Sequence, residues 1–444
     1  MREAYIGSLG YRLYKHYVRF VHNKIFYRKI YYINKENVPT VGQPCLIVSN
    51  HQNCANDPLV LLLGFDNETH PYVIARANVF YWSVALRKFF FWIGMLPAFR
   101  LDYDGAESLE KNDETIRISG QKMLDGNRLI MYPEGTHQDK HWLGTFSYGY
   151  TRLAFQTAEK DNFEHDILIL PTANHYKSYF EVKSDAMITF GTPISLKPYY
   201  ELYKEKPRTA QREVNKLVRK QISEMMLNIE DLEHYEAIDW LRESQFGEDW
   251  CRAKQLNPDY LPDKLQSDKS LVAALADAKP DESLYNEILD IKKAEEKLGI
   301  SDVKLRKIKS WGIVLLSCLA QILLLPLWLV SLYPNIIHYN CHRPFMRSDK
   351  MFTNSWRLII PIIVGYPLFF IGTVLLCGLI WGWWWQSIIA MLLSFYPLSV
   401  FALYEWKWMK DTYYNIKALC CKKKLKELNE KRNRLFNKII DILK

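Results

Sequence analysis

The sequence predicts an α/β fold: a mostly parallel sheet flanked by helices, with a helical extension and a C-terminal membrane-embedded helical region. Three observations carry this. Short apolar runs alternate with helical stretches from residue 41 to 200, residues 201–308 are charged and lack strand signals, and from residue 311 the composition turns abruptly apolar. The chain therefore reads as an amphipathic interfacial segment (1–40), an α/β domain (41–200), a helical extension (201–308), a membrane region (309–408) and a basic tail helix (409–444).

Residues 5–33 interleave rings and cations. Tyr11, Tyr14, Tyr17, Val18, Val21 and Ile25 recur at three- and four-residue steps, with Arg12, Lys15, Arg19 and Lys24 between them. That is an amphipathic helical pattern, and its mix of Tyr, Phe, Lys and Arg suits a membrane interface. A helix packed on the domain with a solvated basic face would show the same pattern. Residues 1–40 have no continuous apolar core, so no cleavable signal peptide is read. Strands are expected at 45–49, 72–76, 128–132, 167–171 and 186–190, and helices near 58–65, 79–93, 113–124 and 147–158. Pro133-Glu134-Gly135 and Gly191-Thr192-Pro193 mark turns.

In the last third, residues 311–333 are almost uncharged and long enough, at about 1.5 Å per residue, to cross a bilayer. A second apolar block, 358–404, is interrupted by Trp381-Gly382-Trp383-Trp384-Trp385-Gln386, an interfacial turn between helices at 358–381 and 386–404. Lys304, Arg306, Lys307 and Lys309 precede the region, and Lys407, Lys410, Lys417 and Lys422–Lys424 follow it. Both flanks thus favour the cytoplasmic side. The expectation is an integral membrane protein with a hairpin at 358–404, a re-entrant or interfacial 311–333 containing Pro326, and the α/β domain on the cytoplasmic face. Residues 422–444 read as a charged helix lying along the surface.

Net charge is +9 over 444 residues, with the basic excess at the ends. The partner this favours is membrane lipid; nucleic acid ranks last, because the basic ends adjoin apolar segments and interfacial aromatics. The eight cysteines (45, 54, 251, 318, 341, 377, 420, 421) show no CxxC and no metal-ligand spacing, so they read as free thiols and no metal is expected.

The polar clusters of the α/β region follow candidate strands: His51 and Asp57 after 45–49, Pro133-Glu134-Gly135-Thr136-His137 after 128–132, and Asn174-His175-Tyr176 after 167–171. Ligands of open α/β sheets bind at the carboxyl ends of strands, so these loops can converge. Asp57 precedes Pro58 and could simply cap a helix at 58–65, worth about 1 kcal/mol. Six residues of helix rotate by roughly 240°, so His51 and Asp57 meet only across a loop. If they meet, Asp57 fixes one ring nitrogen and leaves the other as a base, for a bound alcohol or for a Ser or Cys nucleophile. No Gly-x-Ser-x-Gly elbow is present, which favours direct action on a substrate hydroxyl.

Asn50-His51…Asp57-Pro58, Gly94…Phe99-Arg100, Tyr132-Pro133-Glu134-Gly135-Thr136 and Leu170-Pro171 form an ordered series. It resembles the four blocks of the phospholipid/glycerol acyltransferase family, over roughly residues 40–200. The resemblance implies acyl transfer from a thioester to a glycerol hydroxyl, with His51 as general base and Asp57 orienting it. It also implies that Arg100 and the Glu134-Gly135-Thr136 turn hold the acceptor's phosphate; Arg76 is a candidate second cation, or else a solvated strand-end residue. No cofactor is implied, acyl-CoA or acyl carrier protein being the donor substrate. Five residues separate His51 from Asp57, where four are commonest in the family. The five-residue form is similar to that of fungal-type glycerol-3-phosphate/dihydroxyacetone-phosphate acyltransferases, which also carry C-terminal membrane segments. His137 stands where many members have Arg; with His175 it reads as an ordinary loop histidine. The expected activity is acylation of glycerol-3-phosphate or dihydroxyacetone phosphate in phosphatidate synthesis. A lysophosphatidate acceptor, a His-dependent lipid hydrolase and an inactive lipid-binding membrane protein are the alternatives.

Overall fold

In a computed structural model, residues 8–66, 71–99, 108–137, 140–299, 308–340 and 352–443 are described. The chain divides into two compact units, residues 1–226 with 342–358, and residues 227–341 with 359–444.

The first unit is built on an eight-stranded sheet: β1 (Lys29–Ile33), β2 (Cys45–Ser49), β3 (Tyr72–Arg76), β4 (Met95–Ala98), β5 (Arg128–Met131), β6 (Leu168–Tyr176), β7 (Asp185–Phe190) and β8 (Ile194–Ser195). The order is β1-β7-β6-β2-β5-β3-β4, with β8 also on β6. Pairing is parallel except where β7 and β8 meet β6. β2 is buried along its whole length, as a central parallel strand covered on both faces must be, which is why its residues are apolar up to Ser49. The helices are α1 (Leu9–Phe20), α2 (Asn56–Leu63), α3 (Val84–Trp92), α4 (Ser108–Leu124), α5 (Gly149–Lys160), α6 (Tyr200–Glu205) and α7 (Pro207–Met225). In the main core, Leu46, Val48, Tyr72, Ile74 and Leu129 of the sheet meet Leu153, Ala154 and Ala158 of α5. Ala210, Val214, Val218 and Ile222 join them as one i, i+4 stripe of α7.

All five expected strands form. Three more were not expected. β1 lies inside the stretch that patterns as helix: α1 and a π-helical turn (Val21–Phe26) end before it, and the chain then extends. Arg28, just ahead of β1, bonds buried Asp185 at the start of β7 through two guanidinium nitrogens, and this ties β1 to the edge. β4 is four residues with a proline, and β8 is two, too short for a periodic signal.

The second unit is helical: α8 (Tyr235–Glu243), α9 (Gln245–Ala253), α10 (Leu261–Ala278), α11 (Glu282–Leu298) and α12 (Trp311–Asn340). After α13 (Phe352–Ile360), whose first turns belong to the first unit, come α14 (Tyr366–Trp381), α15 (Trp384–Cys420) and α16 (Lys422–Ile442). Among the described residues, three stretches are long and apolar enough to cross a membrane: Trp311–Ile336, Phe352–Trp381 and Trp384–Cys420. Trp381–Trp383 form the expected turn, and Gly382 takes φ 66° there. Pro326 and Pro334 do not interrupt α12. The tail helix α16 buries one face, with Leu425, Leu428, Leu435, Phe436 and Ile439; Phe436 is edge-on to Phe246, and Lys438 pairs with Glu287 at 2.6 Å.

Candidate active site

The site lies at the carboxyl ends of β6, β2, β5 and β3, which are adjacent in the sheet. β2 and β6 run side by side up to Ser49 and Thr172. Just beyond, buried Asn50 replaces the ladder: its Nδ2 donates to Asn174 O at 3.1 Å, and Asn174 N donates to its Oδ1 at 2.7 Å. The chain then leaves the sheet at His51. It reverses through Cys54, a non-glycine residue at φ 45°, and enters α2 at Asn56.

That reversal brings His51 and Asp57 together. Asp57 is fully buried, and its Oδ2 accepts from His51 Nδ1 at 2.7 Å, Gln52 N at 2.7 Å and Asn53 N at 2.9 Å. Its Oδ1 accepts from Tyr176 OH at 2.7 Å. A buried carboxylate is tolerable when this many donors replace water. Asp57 is therefore not the helix cap that its place before Pro58 suggests. The helix begins one residue earlier, and the carboxylate faces back onto the preceding loop, not onto the N–H groups of α2. Burial, and after it the charge of Asp57, keep the phenols of Tyr176 and Tyr27 protonated, so Tyr176 is a donor to Asp57 at all working pH.

With Nδ1 donating to Asp57, Nε2 of His51 is the basic nitrogen, on a side chain 20% exposed. Tyr132 lies 4.6 Å from the imidazole, ring to ring, and His137 stands edge-on to it at 5.9 Å.

Backbone donors occupy both oxygens of the Glu134 carboxylate: Oε1 accepts from His51 N at 2.8 Å and Oε2 from Gly144 N at 3.0 Å. Burial pushes its pKa up to about 7, against the opposing pull of those two N–H groups. Glu134 thus holds the backbone of His51. Gly135 takes φ 63°, a conformation that favours glycine, and its carbonyl accepts from Arg76 Nε at 3.1 Å and from a second guanidinium nitrogen. Arg76 and Thr136 are exposed beside this turn. Arg100 lies outside the described residues.

Asn174 and Tyr176, expected in a loop after the strand, lie on β6 itself. Gln52, His141 and Tyr179 escaped the sequence reading: Tyr179 OH donates to Gln52 Oε1 at 2.8 Å while facing His141 Nδ1 at 3.1 Å. His175 is a buried residue of β6, not a loop histidine. Among the described residues, Asp161, Glu164 and His165 offer atoms within 4.8 Å of one another, a grouping of metal-ligand type on a turn after α5.

Residues 29–174 match the Acyltransferase family model, from the first residue of β1 to Asn174 in β6. The crystal structure of the 1-acyl-sn-glycerophosphate (LPA) acyltransferase PlsC from Thermotoga maritima is similar at 15% identity, over 47% of this chain and 79% of that one, with a TM-score of 0.30. No curated protein matches.

Proposed function

We propose that this chain, whose residues 29–174 match the Acyltransferase family model, moves a fatty acyl group from an acyl thioester to a hydroxyl of glycerol-3-phosphate or dihydroxyacetone phosphate. The observation that carries the reading is the 2.7 Å bond from His51 Nδ1 to a carboxylate held by three other donors. Such a carboxylate orients the imidazole and stabilises its protonated form. The acceptor hydroxyl gives its proton to His51 Nε2 as its oxygen attacks the thioester carbonyl. The tetrahedral intermediate then expels the thiolate, which takes that proton and leaves as thiol, while the new ester remains. No acyl-enzyme forms. The cation of Arg76 and the turn at Gly135 and Thr136, with Arg100, suit an acceptor's phosphate. Glu134 acts indirectly, through the backbone of His51. The donor is acyl-CoA or an acyl carrier protein thioester.

The test is thiol release from acyl-CoA by purified protein in detergent, wild type against His51→Ala. Each is offered glycerol-3-phosphate, dihydroxyacetone phosphate, lysophosphatidate or no acceptor. Release that needs one of the first two and is lost in His51→Ala is the expected result. Dependence on lysophosphatidate alone would move the acceptor assignment. Release without acceptor would mean hydrolysis, and full activity in His51→Ala would end the general-base assignment.

A further inference from the structure

Residues 352–358 lie some three hundred positions along the chain from His51, yet belong to the same compact unit. Ser355 is 2% exposed, and its hydroxyl accepts from Ala55 N at 3.1 Å. It lies 3.4 Å from Asn53 O, to which it donates, and 3.5 Å from Asn56 Nδ2. It therefore holds the loop on both sides of Cys54, the one residue between His51 and Asp57 that is in the left-handed region. A side chain strains that conformation, which persists only where neighbours over-determine it.

The same short segment grips a second loop. Arg357 donates to Phe180 O at 2.8 Å, and Asn354 Nδ2 lies 3.5 Å from Glu181 O. Phe180 follows Tyr179, which bonds Gln52, and that strand end also carries Tyr176, which bonds Asp57. Phe352 stands edge-on to His137 at 5.1 Å, and His137 edge-on to His51. Residues 352–358 thus close a ring of contacts around Asp57: from loop 53–56 through Gln52 and Tyr179 to residues 180–181, and back.

We propose that Ser355 is a positioning residue for the acyl transfer, and that the segment Phe352–Leu358 is a strap that sets the conformation of the His51–Asp57 loop. The proposal rests on His51 acting as the base. Loosening the loop moves the imidazole relative to the thioester without removing any group that meets the acceptor. The loss should therefore appear in kcat more than in acceptor KM.

Acyl transfer by the full-length protein in detergent, with the acceptor that supports wild-type turnover, tests this. Ser355→Ala, Ser355→Val, Ser355→Thr and His51→Ala are compared, each with its thermal unfolding. Ala and Val are expected to lower kcat roughly tenfold or more and to leave acceptor KM within about twofold. Thr matches Val in shape but keeps the hydroxyl, and should retain kcat within about threefold of wild type. Wild-type kcat in Ala and Val beside an inactive His51→Ala overturns the role of Ser355 and leaves the base standing. Equal loss in Thr and Val also overturns it, in favour of tight packing. Activity retained in His51→Ala overturns the reading beneath it. If the Val variant does not fold, the Ala and Thr pair decides by the same comparison.

Discussion

At the scale of single residues, the site is organised around two buried carboxylates with opposite duties. Asp57 serves a side chain and Glu134 serves a backbone, although both also bond N–H groups. Asp57→Asn keeps the size but turns an NH2 or an uncharged oxygen toward four donors. It should lower kcat by roughly 10²–10⁴ and stability by about 1–3 kcal/mol, read from initial rates and from denaturant unfolding. Glu134 makes a prediction about pH. Its folded-state pKa is raised from 4.5 to about 7, so the native protein binds that proton more tightly than the unfolded chain. The stabilisation is complete below the unfolded value and is lost as pH rises through about 7. Wild type should therefore lose melting temperature relative to Glu134→Gln between about pH 5 and pH 8; parallel profiles would show that the proton is not held.

At the scale of elements, the helix bearing Asp57 is fastened at both ends. Its start is held through Asp57 and Ser355. Beyond its end, Lys15 of α1, 3% exposed, donates to Phe65 O and Asp66 O, each at 2.9 Å, and Arg19 reaches Phe65 O at 2.6 Å. These cations sit where the α2 dipole is negative. Burial pulls the Lys15 ammonium down to about 8. Lys15→Met keeps the stem but removes its bonds to both carbonyls, leaving Arg19 alone on Phe65 O; it should cost about 1–3 kcal/mol in unfolding experiments. Gly64, which ends α2, lies under the Tyr32 ring, where an added Cβ would come within 2.5 Å of Cε1. Gly64→Ala should displace that ring and its bond to Val60 O, again at about 1–3 kcal/mol, seen as a lower melting temperature. The amphipathic pattern of residues 9–25 therefore serves packing as well as any interface. Tyr11 and Tyr14 meet Trp92 of α3 edge-on or tilted, while Leu9 and Leu13 stay exposed.

At the scale of the whole molecule, the three apolar stretches expose large side chains on several faces, such as Leu316, Leu323, Leu379 and Leu393, a surface that bilayer hydrocarbon would cover. The protein should stay with membranes through alkaline carbonate extraction; release into the supernatant would count against any crossing. Within the helical unit, α16, after the last apolar helix, packs on α9 and α11, before the first. With basic residues on both flanks, the expected hairpin at 358–404 would put both flanks on one side of the bilayer, with an even number of crossings between them. In sealed vesicles, epitope tags in the loop at 279–281 and at the C-terminus should be cleaved, or protected, together. Cleavage of one alone would mean an odd number of crossings.

The sequence by itself determined the central strands, the apolar helices and the loop that carries His51 and Asp57. Continuous apolar runs, uncharged blocks and turn residues are local records of burial, and burial of that kind is decided over a few neighbouring positions. Only the tertiary structure decided what surrounds the pair. Tyr176 reaches Asp57 across 119 positions, Asn174 meets Asn50 across 124, and Ser355 meets Asn53 across 302. A bond over that distance leaves no periodicity at either end. The direction of Glu134 was equally invisible, because a carboxylate in a Pro-Glu-Gly turn can face a ligand or a backbone. Here it faces His51 N because β2 and β5 are parallel neighbours whose ends emerge side by side.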